Sequence, residues 1–130
     1  MTAPDGSPRD PQWLGRYGER VAAAWLTAHR CKVLAKNYRN HHRGRRTGEV
    51  DIVAREGRVL LFVEVKTRRN DPKVRPLHAV DKAKQRLIER GANDWLKRLG
   101  TRDLPWRFDV IEVYLHDGQP PRVVCVRDAF

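Results

Sequence analysis

Residues 48–68 read GEVDIVAREGRVLLFVEVKTR, and the alternation in this stretch decides the fold. Two runs rich in β-branched residues flank Glu56-Gly57, a dipeptide suited to a two-residue hairpin turn. Such a turn pairs Arg55 with Arg58, sets Asp51 opposite Phe62 and sets Glu49 opposite Glu64. Directly opposed residues share a face, and faces alternate along each strand. Glu49, Asp51, Phe62, Glu64 and Lys66 therefore fall on one face of the hairpin. The other face carries Val50, Ile52, Ala54, Val59, Leu61, Val63 and Val65, with no polar side-chain atom. A one-residue slip would separate Asp51 from Glu64, so the grouping of the acids depends on the parity of the turn.

Upstream of the hairpin, residues 1–11 hold three prolines and a glycine with few apolar side chains, which predicts a disordered tail. The rest, 12–130, is one domain. From Trp13 to His29, apolar residues recur at helical spacing. Gly15 and Gly18 in this run imply either a close backbone approach or a late helix start. Cys31 to Tyr38 reads as a strand, and residues 39–47 (RNHHRGRRT) read as a basic loop. Downstream, Asn70-Asp71-Pro72 and Pro76 mark an irregular connection. A second helix is expected from about Ala79 to Leu99, with Val80, Ala83, Leu87, Gly91, Trp95 and Leu99 on one side and Gly100 as its stop. Arg107 to Leu115 and Arg122 to Val126 read as strands, the last an edge strand. The order helix, three strands, helix, two strands predicts an α/β fold. Its mixed sheet has a helix on each side, and the second helix carries the chain to a strand parallel to the third.

The chain of 130 residues bears a formal charge of +11. Nucleic acid is the partner such a surplus suits, because Lys and Arg neutralise phosphates and release counterions. A membrane is the competing partner, disfavoured because no basic helix offers a clean apolar face for insertion. Cys31 and Cys125 show no metal-site spacing and nothing that favours a disulfide. No apolar signal core or spanning run is visible, and the expectation is a soluble, reduced, cytoplasmic protein.

Asp51 and Glu64, neighbours on one face, have the chemistry to hold a hard cation such as Mg²⁺, with the carbonyl of Val65 completing the sphere and Mn²⁺ as a substitute. Lys66, two residues on, is placed to orient a water or to neutralise charge on a phosphate. The bland reading, solvated charges on an open face, fits poorly, since Val53, Leu60 and Phe62 make that face half apolar. Glu49 facing Glu64 also calls for a nearby cation. Glu19, at the margin of the first helix's apolar face, reads equally as a third site carboxylate or as a boundary glutamate. Lys84 falls inside the apolar arc of the second helix, where it either snorkels or meets an anion. Arg43, Arg45 and Arg46 on one side, and Arg68, Arg69, Lys73 and Arg75 on the other, flank the acids with basic segments suited to nucleic-acid phosphates. His41 and His42 adjoin the first of these.

Five blocks resemble, in order, those of the bacterial YraN family. They are Gly15-x-x-Gly18-Glu19-x-x-Ala22, Gly48-Glu49-x-Asp51, residues 62–68 (FVEVKTR), Lys84-Gln85-Arg86 and Arg107-Phe108-Asp109-Val110. That family is assigned to the restriction-endonuclease-like superfamily with its PD-(D/E)xK motif and is similar to archaeal Holliday junction resolvases. The resemblance implies an αβββαβ core and a Mg²⁺-dependent endonuclease acting on branched or damaged DNA. It makes Glu19 the helix-borne carboxylate, Asp51 and Glu64 metal ligands, Lys66 the catalytic lysine and Lys84 a site residue. Val50 stands where the motif's name calls for proline. Similarity to resolvases also implies a homodimer. The alternative is an accessory protein that keeps the nuclease fold and binds nucleic acid without turnover.

Overall fold

The computed structural model describes residues 11–69 and 80–130. The elements are α1 (Pro11–Ala28), β1 (Lys32–His42), β2 (Arg45–Glu56), β3 (Val59–Arg69), α2 (Lys82–Leu99), β4 (Trp106–Leu115) and β5 (Arg122–Val126). They form one five-stranded sheet in the order β1-β2-β3-β4-β5, antiparallel except for the parallel β3–β4 pair. This is the expected mixed α/β sheet and is consistent with a restriction-endonuclease-like core. The described residues carry no helix long and apolar enough to cross a membrane.

Two apolar layers sandwich the sheet. Ala22, Ala23 and Leu26 of α1 pack on Ile52, Ala54, Leu61, Val63, Ile111 and Val113. On the opposite face Ile88, Ala92 and Leu96 of α2 pack on Val50, Val53, Leu60, Phe62 and Val110. Pro11 already opens α1, so helix replaces the last residue of the expected tail; proline suits a first turn, where its missing N–H is no loss. Gly18 explains its own presence. A Cβ there would collide with the Thr67 side chain, so the α1 backbone packs directly against that side chain of β3.

Two features of the hairpins depart from expectation. The β2–β3 turn is Gly57-Arg58, with Glu56 paired to Val59 and Arg55 to Leu60. Gly57 adopts φ 59°, the first central position that a type II′ turn reserves for glycine, and Glu56 there would be strained. The turn keeps two residues, so the register moves by two and the faces of Asp51 and Glu64 are preserved. Residues 39–47 are not a loop: β1 and β2 continue to His42 and Arg45 around Arg43-Gly44, which have φ 51° and 77°. Two successive positive φ values are what a tight type I′ hairpin requires. This basic ribbon projects beyond the apolar layers, so it shows no hydrophobic alternation.

Helix α2 starts at Lys82, with the Asp81 side chain accepting from Lys84 N at 2.8 Å, and ends at Gly100 with φ 82°. Its buried stripe is Ile88, Gly91, Ala92 and Leu96, rotated from the expected line: Ala83 is exposed and Leu99 is 46% exposed. Gly91 permits the closest crossing in this layer. A Cβ there would meet Val50 Cγ2 at 2.9 Å and Glu49 N at 3.1 Å. Val50 packs under α2 whereas Ile52 packs under α1, so strand alternation breaks beside Asp51 and the expected seven-residue apolar face loses Val50.

Candidate metal centre and nucleic-acid interface

The β2–β3 ladder runs from Glu56/Val59 to Ile52/Val63 and stops, while β3 continues against β4 as far as Arg69. One step past the break, Asp51 lies across from Glu64. Asp51 Oδ2 accepts the backbone N–H of Val65 at 2.8 Å, replacing the lost ladder bond with a side-chain one. The N–H and carbonyl of a strand residue point the same way. The Val65 carbonyl is thus directed to the same side as Asp51, where sequence reasoning placed a third metal ligand.

Glu64 is buried, at 8% exposure, and its carboxyl lies within hydrogen-bonding reach of the Asp51 carboxyl. Its pKa is pushed up to about 8, first by burial and then by the neighbouring Asp51 charge. Asp51 is also raised, chiefly by burial, against the lowering pull of the Val65 N–H. Buried Glu64 and half-buried Asp51 therefore share a space that solvates their charges poorly, the condition that a bound cation relieves. Among the described residues, no three His, Cys, Asp or Glu side chains converge as a closed metal cage. The donors fit an ion that takes one or two carboxylates and keeps its waters, as Mg²⁺ does.

Glu19 reaches this region from α1. Its pKa is raised first by burial and then by the Asp51 charge, while a hydrogen bond from the Asn37 side chain lowers it. Asn37 went unnoticed in the sequence. It takes φ 51° within β1, a left-handed conformation that asparagine tolerates better than most residues.

Lys84 arrives from α2, one turn before Ile88 on the buried stripe. Its ammonium hydrogen-bonds Glu49 and stands 3.7 Å from Glu64 Oε1. Burial alone would lower the Lys84 pKa; the bond to Glu49 and the charges of Glu64 and Asp51 reverse that and raise it. Burial would likewise raise Glu49, but Lys84 and Arg46 hold it below the usual carboxylate range. Lys84 is therefore not a snorkelling stem: it supplies a cation to both Glu49 and Glu64, which the observed register no longer sets directly opposite each other.

Lys66 lies in register with Glu112 across the parallel β3–β4 pair, on the same face as Glu64. Glu112 is fully buried and accepts from Tyr114 Oη at 2.8 Å, and Arg122 lies 4.6 Å over the Tyr114 ring. This polar set escaped the sequence reading; its one signal was a glutamate inside the apolar run of β4. Arg68, in register with Tyr114, has a buried Nε without a partner, and Arg69 is exposed. Arg43 and Arg45 are exposed at the tip of the β1–β2 ribbon, while Arg46 reaches back to Glu49 Oε2 at 3.2 Å. Lys73 and Arg75 lie outside the described residues. The structure thus gathers Glu19, Glu49, Asp51, Glu64 and Lys84 at one mouth of the sheet, with Lys66 beside it and the arginine ribbon at its rim.

The model of the uncharacterised protein family UPF0102 matches residues 18–113, which span every site residue named above from Glu19 to Glu112. A UPF0102 protein of Geobacter sulfurreducens is 44% identical over 117 residues, covering 90% of this chain and 88% of the relative. One from Symbiobacterium thermophilum is 44% identical over 119 residues, covering 90% and 95%. One from Rhodococcus jostii is 42% identical over 117 residues, again 90% and 95%.

Proposed function

The chain belongs to the uncharacterised family UPF0102, also called the YraN family, and from that premise and its buried acid pair we propose that it is a Mg²⁺-dependent DNA endonuclease acting on branched or damaged DNA. The observation that carries the reading is the placing of Asp51 beside buried Glu64, with burial raising the pKa of both carboxyls. Asp51, Glu64 and the Val65 carbonyl would hold the ion, and Mn²⁺ would substitute. A divalent ion bound there supplies Lewis acidity and an acidified water. The Val65 N–H holds Asp51 in place, committing one carboxylate oxygen to the backbone. Lys66 stabilises negative charge developing on the scissile phosphate. Glu19, steadied by Asn37, completes the acidic rim from α1 and acts through water. Arg43, Arg45, Arg46, Arg68, Arg69, Lys73 and Lys84 draw the phosphate backbone in. The same reading includes a cytoplasmic location and a homodimer, which would offer two sites to a symmetric junction.

Cleavage of plasmid and of four-way-junction DNA in Mg²⁺ or Mn²⁺ is the expected result, lost in Asp51→Ala and Lys66→Ala. If wild type and Lys66→Ala are equally inert on duplex, single-stranded and junction DNA and on RNA, the nuclease reading fails. A second reading, a nucleic-acid-binding accessory protein without turnover, draws on the Lys84 ammonium, which already sits beside Glu49 and Glu64 where a metal would otherwise balance them. It predicts salt-sensitive DNA binding that survives loss of Asp51 and Glu64.

A further inference from the structure

At the base of the β1–β2 ribbon, a few residues from its tip, α2 and the two strands flank an open cleft of about 380 Å³. Its floor is Asn40 of β1 and Thr47 of β2, tied across the ribbon by a hydrogen bond from Asn40 Nδ2 to Thr47 Oγ1 at 2.8 Å. Its wall is cationic. Arg90 and Lys97 lie seven residues apart on one helical face, and Arg102 folds back after the Gly100 cap, its Nη2 bonding Asn93 Oδ1 at 3.3 Å. The one acid on the wall, Asp94, is already engaged by Tyr38 Oη and by Arg98 Nε at 2.9 Å. Its pKa is held below the usual carboxylate range, first by the Tyr38 hydrogen bond. Arg90 and Lys97 enter none of the ion pairs among the described residues. Three exposed cations thus converge on a concave polar floor, with Asp94 the one carboxylate beside them and that one already shared with Tyr38 and Arg98.

We propose that this cleft is a second phosphate seat, which grips the DNA backbone away from the acid pair. The proposal rests on the DNA-binding part of the function proposed above, not on its chemistry. Its position sets a length scale. Lys84, at the acid pair, and Lys97, in the cleft, are thirteen residues apart on one helix, about 20 Å at 1.5 Å per residue. With a rise of about 3.4 Å per base pair, that is roughly six base pairs of duplex. With Arg90 only six residues from Lys84, about 9 Å along the helix, the cleft engages DNA from roughly three to six base pairs beyond the phosphate nearest Glu64, and shorter duplexes lose part of its contribution.

The experiment is a salt titration of binding to a 20-base-pair duplex and to a four-way junction, in EDTA so that no cleavage is needed. Each phosphate contact contributes a slope of about 0.9 in log K against log salt, so the triple variant Arg90→Ser, Lys97→Ser, Arg102→Ser is expected to flatten the slope by about 2–3. A control with the same charge loss, Lys32→Ser, Arg55→Ser, Arg58→Ser, changes exposed residues at the opposite end of the sheet and is expected to change it by less than one. The single variant Lys97→Glu, on an exposed helical position, keeps the test valid if the triple variant folds poorly. Equal flattening by the cleft and control variants overturns the proposal, as does an unchanged slope in both the triple variant and Lys97→Glu. Flattening by the cleft variant alone supports the seat even if the wild type proves unable to cleave, in which case only the nuclease reading falls. Wild-type binding without any salt dependence sinks both.

Discussion

Raising the pH of the metal-free protein is expected to destabilise it, and Glu64 sets the window. Its folded pKa is about 8 against an ordinary value of 4.5, so the folded chain binds a proton that the unfolded chain has released. Stability attached to such a group is fully present below pH 4.5, falls as pH rises through the interval and levels off above about 8. One proton corresponds to a slope of about 1.4 kcal/mol per pH unit, so the full interval amounts to about 4–5 kcal/mol at most. The proton belongs to the Asp51/Glu64 pair together. Glu19 and Asp51 are raised too and act in the same direction, whereas Glu49 and Asp94 are lowered and lose their contribution only as pH drops below the ordinary carboxylate range. Urea denaturation in EDTA at pH 5.5, 6.5, 7.5 and 8.5 reads the effect directly, and a loss of this size lowers Tm by roughly 10 °C or more. Glu64→Gln keeps the shape and removes the titration, so its stability is expected to change far less over that interval and to exceed wild type at pH 8.5. Adding Mg²⁺ is expected to restore wild-type stability most at high pH and to leave Glu64→Gln unmoved. Parallel pH curves for wild type and Glu64→Gln would refute the assignment of a raised pKa to this buried pair.

Other substitutions probe the supports of the site. Lys84→Met strands Glu49 and Glu64 without their ammonium and is expected to cost about 1–3 kcal/mol at pH 7, part of which Mn²⁺ restores; denaturation that ignores both changes argues against the ion pairs. Gly91→Ala gains about 1 kcal/mol of helix propensity but drives a methyl into Val50 and the Glu49 backbone, an overpacking of about 1–3 kcal/mol, so net destabilisation is expected in urea. A Gly91→Ala protein more stable than wild type would mean that α2 does not press on β2 there. Tyr38→Phe removes the donor to the Asp94 carboxylate and is expected to lose about 1–2 kcal/mol, with unchanged stability as the contrary result.

Alternation alone placed Asp51, Glu64 and Lys66 on one face, because side-chain direction in a strand has period two and an even turn preserves parity. That is why the grouping survives a turn centred on Gly57-Arg58 rather than Glu56-Gly57. Element order and the mixed sheet were likewise legible, since apolar period and glycine or proline punctuation are local properties. The ribbon through residues 39–47 was not, because strands that bury nothing leave no hydrophobic signature. Neither was the break of alternation at Val50, where α2 crosses closely at Gly91. The charge state of Glu64 and the partner of Lys84 are decided by tertiary structure alone. Both depend on how much water remains around a group and on which charge a distant element brings within a few ångströms, and neither quantity is carried by neighbours along the chain.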